Sequence, residues 1–159
     1  MGVLEKMPAP KSVTKVTKNG IEFTNNIDYC EWTIKELCRG ALRDVAKFVR
    51  AEFKKNFYEH FKKYSGDAGK AVSAKIWSSE NTMYPRVDLG LKGIKGFYGF
   101  FQEVGASNVR KLGLLQSAVE DNISTIIQIE SQYLSAIDSG DPESLIDESE
   151  TEIDGEEDG

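Results

Sequence analysis

The sequence predicts an α+β domain in which a long N-terminal helix and a C-terminal helix pack on a small antiparallel sheet. Three observations predict it. Apolar residues recur at three- and four-residue steps from Asp28 to Tyr64, and again from Leu112 to Ile137. Two runs, Lys70 to Ser78 and Met83 to Leu91, alternate apolar and polar residues as half-buried strands do. An Asn19-Gly20 pair sits inside a third short run, Val13 to Thr24, where it favours a two-residue hairpin turn.

The chain has 159 residues, enough for one domain. Residues 1–12, with Pro8 and Pro10, read as a flexible arm, residues 13–137 as the single α+β body, and residues 138–159 as an acidic tail. The tail holds eleven acids and no Lys or Arg. Taken from the 26 acids of the whole chain, they leave 15 against 20 cations, so the net charge of −6 hides a body charge of +5. With almost no apolar residue after Asp141, the tail cannot offset its ordering entropy by burial and is expected to be disordered when free. The N-terminus carries no apolar run, so neither a signal peptide nor a membrane span is expected. Cys30 and Cys38 stand eight apart on one expected helix, about 12 Å along its axis, too far for a disulfide. Free thiols suit a reducing cytoplasm.

In order, the first hairpin pairs Val16 with Phe23, and it needs the body or a neighbour to lie against. The long helix follows, with Asp28 as N-cap and Glu31 three residues on, a capping-box spacing. Its apolar stripe includes Ile34, Leu37, Ala41, Val45, Val49, Phe53 and Phe57, and its polar side carries nine cations from Lys35 to Lys63, Arg39 among them. Ser65 to Gly69 ends the helix and opens the second hairpin. There Val72, Ala74 and Ile76 share one face, and Val87, Leu89 and Leu91 lie inward on the return strand. Pro85 cannot donate to a ladder, so that strand begins at Pro85 or runs along an edge, and an open edge invites another chain. The loop Lys92 to Gly96 leads into an aromatic turn. Ser107 or Asn108 then caps the last helix, which carries Arg110 and Lys111 in its first turn.

The aromatic turn, Gly96-Phe97-Tyr98-Gly99-Phe100-Phe101-Gln102-Glu103-Val104-Gly105, organises the rest. Four rings this close cannot all enter one side of a core, so some are expected to face another protein. An aromatic-rich turn closing in Glu103-Val104-Gly105, followed by the Leu-rich segment Lys111 to Ala118, resembles the tail-completion proteins of long-tailed DNA phages. Val104 stands where that pattern has an aromatic, Ala106 where it has Thr, and no proline precedes the last helix. The resemblance covers about residues 20–137. It implies a structural virion protein at the head–tail junction, assembled in the bacterial cytoplasm. Such a protein forms a six-membered ring that completes the tail and lets DNA pass. Its partners would be copies of itself and other neck or tail proteins, with non-specific contact to transiting DNA and no membrane. The interface candidates are Phe97, Tyr98, Phe100, Phe101, Glu103 and Pro85, and the cations Lys92, Lys95, Arg110 and Lys111 are candidates for lumen or partner contact.

Catalytic signals are sparse. His60 is the single histidine, no Cys/His spacing suits a metal, no Walker loop is present, and Glu52-Phe53-Lys54 falls mid-helix without a partnering Asp. A non-enzymatic protein without cofactor or metal is the expectation. Two rivals remain: an acidic-tailed adaptor or inhibitor that occupies a basic or DNA-binding partner, and a small nuclease built on Glu52 and Lys54.

Overall fold

The computed structural model describes residues 13–16, 22–25, 27–61, 72–77 and 85–139. The first hairpin is β1 (Val13–Val16) and β2 (Glu22–Asn25), followed by helix α1 (Ile27–His60). The second is β3 (Val72–Trp77) and β4 (Arg86–Leu91), followed by helices α2 (Gly93–Val104), α3 (Leu114–Glu120) and α4 (Ile123–Ser139). The arm 1–12, the Asn19-Gly20 turn, Lys62, Lys63, the 65–69 segment and the acidic tail beyond Ser139 lie outside the described residues.

The α+β expectation fails, because the body is mostly helical. Among the described residues the strands form two separate two-stranded ribbons, β1–β2 and β3–β4, and no common sheet on which helices could be layered. Each alternating run finds only its own hairpin partner, while the helices pack chiefly on each other. The first ribbon pairs Val16 with Glu22 and Lys15 with Phe23, one residue off the expected register. In a pleated pair such a slip exchanges the faces of one strand relative to the other. The second ribbon runs from Val72 opposite Leu91 to Trp77 opposite Arg86, which joins the two predicted strands as a hairpin. Pro85 stands just before β4, outside the ladder it could not serve.

Helix α1 is 34 residues, about 51 Å at ~1.5 Å per residue. It starts one residue before the expected cap, which puts Asp28 in the first turn, where a carboxylate complements the helix dipole. Glu31 does not reach back to close a capping box. It pairs with Lys35 at 2.8 Å, and that partner holds its carboxyl below the ordinary value. The apolar stripe carries two packed clusters. Towards the N-terminus Leu37 and Ala41 meet Tyr133 and Ala136 of α4. Towards the C-terminus Val45, Val49, Phe53 and Phe57 close on Ala118 of α3 and on Val72 of β3. α4 therefore runs antiparallel to α1, and the hydroxyl of Tyr133 donates to the Asp44 carboxylate across that seam.

Arg39 does not belong to a solvated cationic side. It is buried with Glu36, and the two side chains form an ion pair at 2.8 Å one turn apart. Arg39 Nε has no hydrogen-bond partner. The other described cations of α1, Lys35, Arg43, Lys47, Arg50, Lys54 and Lys55, lie nearer water. Lys47 stands 3.7 Å from Asp44, and Lys55 bonds Glu52 at 3.3 Å, so Glu52 turns to Lys55 rather than Lys54.

The expected single C-terminal helix is two. Asp121 and Asn122 interrupt it, and the Asn122 side-chain amide donates to the Ala118 carbonyl, a bond that competes with the backbone ladder. Among the described residues no helix is long and apolar enough to cross a membrane.

Candidate interaction surface

The expected aromatic turn, with the 92–96 loop before it, is helix α2. Gly93, at φ 76°, opens the helix after an extended Lys92 that makes no side-chain cap bond. At its other end Gly105 takes φ 86° and donates its N–H to the Phe101 carbonyl at 2.8 Å. Only a glycine adopts that backbone without strain, and a Cβ there would also meet Lys111 Cβ at 3.1 Å. The chain then turns back on itself. Ala106 and Val109 form an isolated bridge with Ser107 and Asn108 at its tip, and the Leu112 N–H bonds the Gln102 carbonyl at 2.7 Å.

Ser107 and Asn108 thus cap nothing, and Arg110 and Lys111 precede the helix they were expected to open. α3 starts after Gly113, which is left-handed at φ 60°, and its first turn is served from outside. The carboxylate of Glu103 accepts the Leu115 N–H at 3.0 Å and the Gln116 N–H at 2.9 Å. Both orphan donors are satisfied by a negative group at the positive end of a helix dipole. Sequence reasoning put Glu103 at a partner interface, and the structure places its carboxylate against α3. A cap twelve residues upstream leaves no local pattern to read.

α2 packs on β4 and α3 and turns a row outward. Phe97, Phe100 and Val104 follow one another at helical spacing and are 58%, 51% and 55% exposed. Phe101 lies half-buried behind them, its ring edge-on to Phe97 at 4.9 Å and to Phe100 at 5.9 Å, while Gly99 is buried. The rings are therefore held by one another before any partner arrives. Tyr98 and Lys95 are placed on α2 by their backbone, and Pro85 is half-buried ahead of β4. Lys92, Arg110 and Lys111 are exposed, the first at the start of α2 and the others in the return loop after it. α2 thus offers a row of large apolar groups, with exposed cations in the chain just before it and in the return loop after it.

Missed at the sequence level was a second outward row, on α4. Ile123, Ile127, Leu134 and Ile137 are all about half exposed or more and share one side of the helix, with Glu130 at its middle. The 3.6-residue pattern in the sequence puts these four in one apolar stripe with Ile126 and leaves out Ile129, Tyr133 and Ala136, which with Ile126 form the true inner row.

Among the described residues no group of three or more His, Cys, Asp or Glu is placed to hold a metal ion. His60 is exposed in the last turn of α1, its ring 5.6 Å from that of Phe61. Cys30 is exposed and Cys38 half-buried, and both are free. Burial pushes the Cys38 thiol up, and the Glu130 carboxylate pushes it further the same way. No family model, curated protein or solved structure matches this chain.

Proposed function

We propose that this chain is a structural assembly subunit, and that its specific task is to form a ring at the head–tail junction of a long-tailed phage. The observation that carries the reading is the outward row Phe97, Phe100 and Val104, a run of large side chains on a rigid helix rather than on a loop. Rings already packed edge-to-face lose little freedom on binding, which is what an interface anchor needs. The exposed cations Lys92, Arg110 and Lys111, in the segments that flank α2, would give a closed ring a positive surface for transiting DNA. The sequence resemblance supplies the virion context, and the reading does not depend on the α+β layering that the fold lacks.

Native mass spectrometry with negative-stain electron microscopy tests it, on the full chain and on a chain lacking 138–159. Both should form closed rings. A monomer from both overturns the reading. No ring from either chain, with binding to a basic or DNA-binding partner lost on removal of the tail, favours the acidic-tailed adaptor.

A further inference from the structure

We infer that the ring contact is head-to-tail, with the aromatic row of α2 on one copy seated on the outer row of α4 on the next. The inference rests on the assembly reading above and adds which two faces meet. Its basis is that one chain exposes two apolar helix faces on different parts of the molecule. α2 packs on β4 and α3, α4 packs on α1, and both outer rows remain open to solvent. Contiguous exposed apolar faces of this kind mark contact sites.

Charge decides which occupant fits. Residues 114–139, which carry the α4 row, contain Glu120, Asp121, Glu130 and Asp138 and no Lys or Arg. All four acids are exposed. Residues 92–113, which carry the α2 row, contain Lys92, Lys95, Arg110 and Lys111, and their one acid, Glu103, is taken up by α3. The two segments are opposite in charge while their outer rows are both apolar, so each suits the other better than itself. A two-fold pairing of α4 with α4 that sets Ile123 against Ile137 brings Glu130 onto its own counterpart, a like-charge contact at the centre. Length agrees too. The α2 row from Phe97 to Val104 is about 10 Å long and the α4 row from Ile123 to Ile137 about 21 Å, at 1.5 Å per residue, so the shorter row fits within the longer. Because the contact joins two different surfaces, it repeats from copy to copy instead of stopping at a dimer, and a rotation that closes makes it the ring of the assembly reading.

Two exposed substitutions test this, one on each face: Phe100→Asp and Leu134→Asp. Circular dichroism and thermal melting confirm that each variant is folded. Each alone should sediment as a monomer, its association weakened about thirtyfold or more, as for loss of a central anchor. An equimolar mixture should recover a discrete 1:1 dimer, since one variant keeps its α2 face and the other its α4 face. Wild-type assembly should weaken as salt rises. If Leu134→Asp disperses the assembly and Phe100→Asp does not, α4 pairs with itself and the inference is overturned. It is also overturned if both disperse the assembly and the mixture stays monomeric. Rings that survive both substitutions overturn it while leaving the assembly reading standing, whereas a monomeric wild type removes both.

Discussion

Glu103 and Gln116 are thirteen residues apart, and the carboxylate of the first accepts the backbone N–H of the second at 2.9 Å. With the companion bond to Leu115, this makes the end of one helix the cap of the next. Replacing Glu103 with Ala should cost about 1–2 kcal/mol, the usual range for a lost cap, and Glu103→Gln less, since an amide oxygen still accepts. Urea unfolding monitored by circular dichroism reads the difference. The exposures of Phe97 and Phe100 do not depend on this cap, so assembly should survive at temperatures where the variant remains folded.

The buried pair Glu36–Arg39 makes an asymmetric prediction. Removing one partner, as in Glu36→Ala, strands a buried charge and should cost about 3–5 kcal/mol. Replacing both with apolar residues of similar size, Glu36→Leu with Arg39→Met, should be close to neutral, because it also removes the unbonded Arg39 Nε. Chemical denaturation of the single and double variants settles the comparison. A double variant as unstable as the single would contradict it.

Tyr133 meets Asp44 across the α1–α4 seam, and its ring is buried against Leu37 and Ala41. Tyr133→Phe keeps the ring and loses the bond to a charged acceptor, at about 1.5–3 kcal/mol. Asp44→Ala should cost a similar amount, and the double variant hardly more than either. Strict additivity in a double-mutant cycle would mean that the two groups do not act together.

The two cysteines should react unequally. Cys30 is exposed, whereas burial and then the Glu130 charge hold the Cys38 thiol above its ordinary range. Alkylation at mildly alkaline pH, read by mass spectrometry, should label Cys30 first. Glu130→Gln removes the second of the two causes and should speed labelling of Cys38. The sign of the linked stability follows. A raised thiol value means that the folded state favours the protonated form, so the contribution is full below the ordinary thiol range and is lost as pH rises through the raised value. Cys38→Ser should flatten the alkaline limb of the stability profile.

The parts of this fold that sequence made legible are those set by one periodicity within one segment. The stripe of α1 from Leu37 to Phe57 and the strict alternation around Val72 and Leu89 are of that kind. What it concealed depends on contacts between distant segments. Gly96 and Gly99 among four rings look like a turn, since each glycine costs a helix about 1 kcal/mol. Burial of Gly99 and the packing of Phe101 against its neighbours outweigh that cost. Arg39 occupies a polar-flank position that only the tertiary fold reveals as interior. The break at Asp121-Asn122 involves neither proline nor glycine, and an Asn side chain bonding back to Ala118 leaves no pattern in a hydropathy profile. The α2 row was anticipated as aromatic residues turned outward, but the α4 row was not, because two stripes on one helix blur into one.

The two ends of α2 are fastened very differently. At Gly93 Lys92 makes no side-chain cap bond, while near Gly105 three bonds, from the Leu112 N–H to the Gln102 carbonyl and from the Leu115 and Gln116 N–H groups to the Glu103 carboxylate, rivet it to the segment that becomes α3. A load applied to its rings would therefore peel the helix from the amino end and travel out through the carboxyl end. It would arrive beside Ala118, where α3 is wedged against the carboxyl-terminal half of α1.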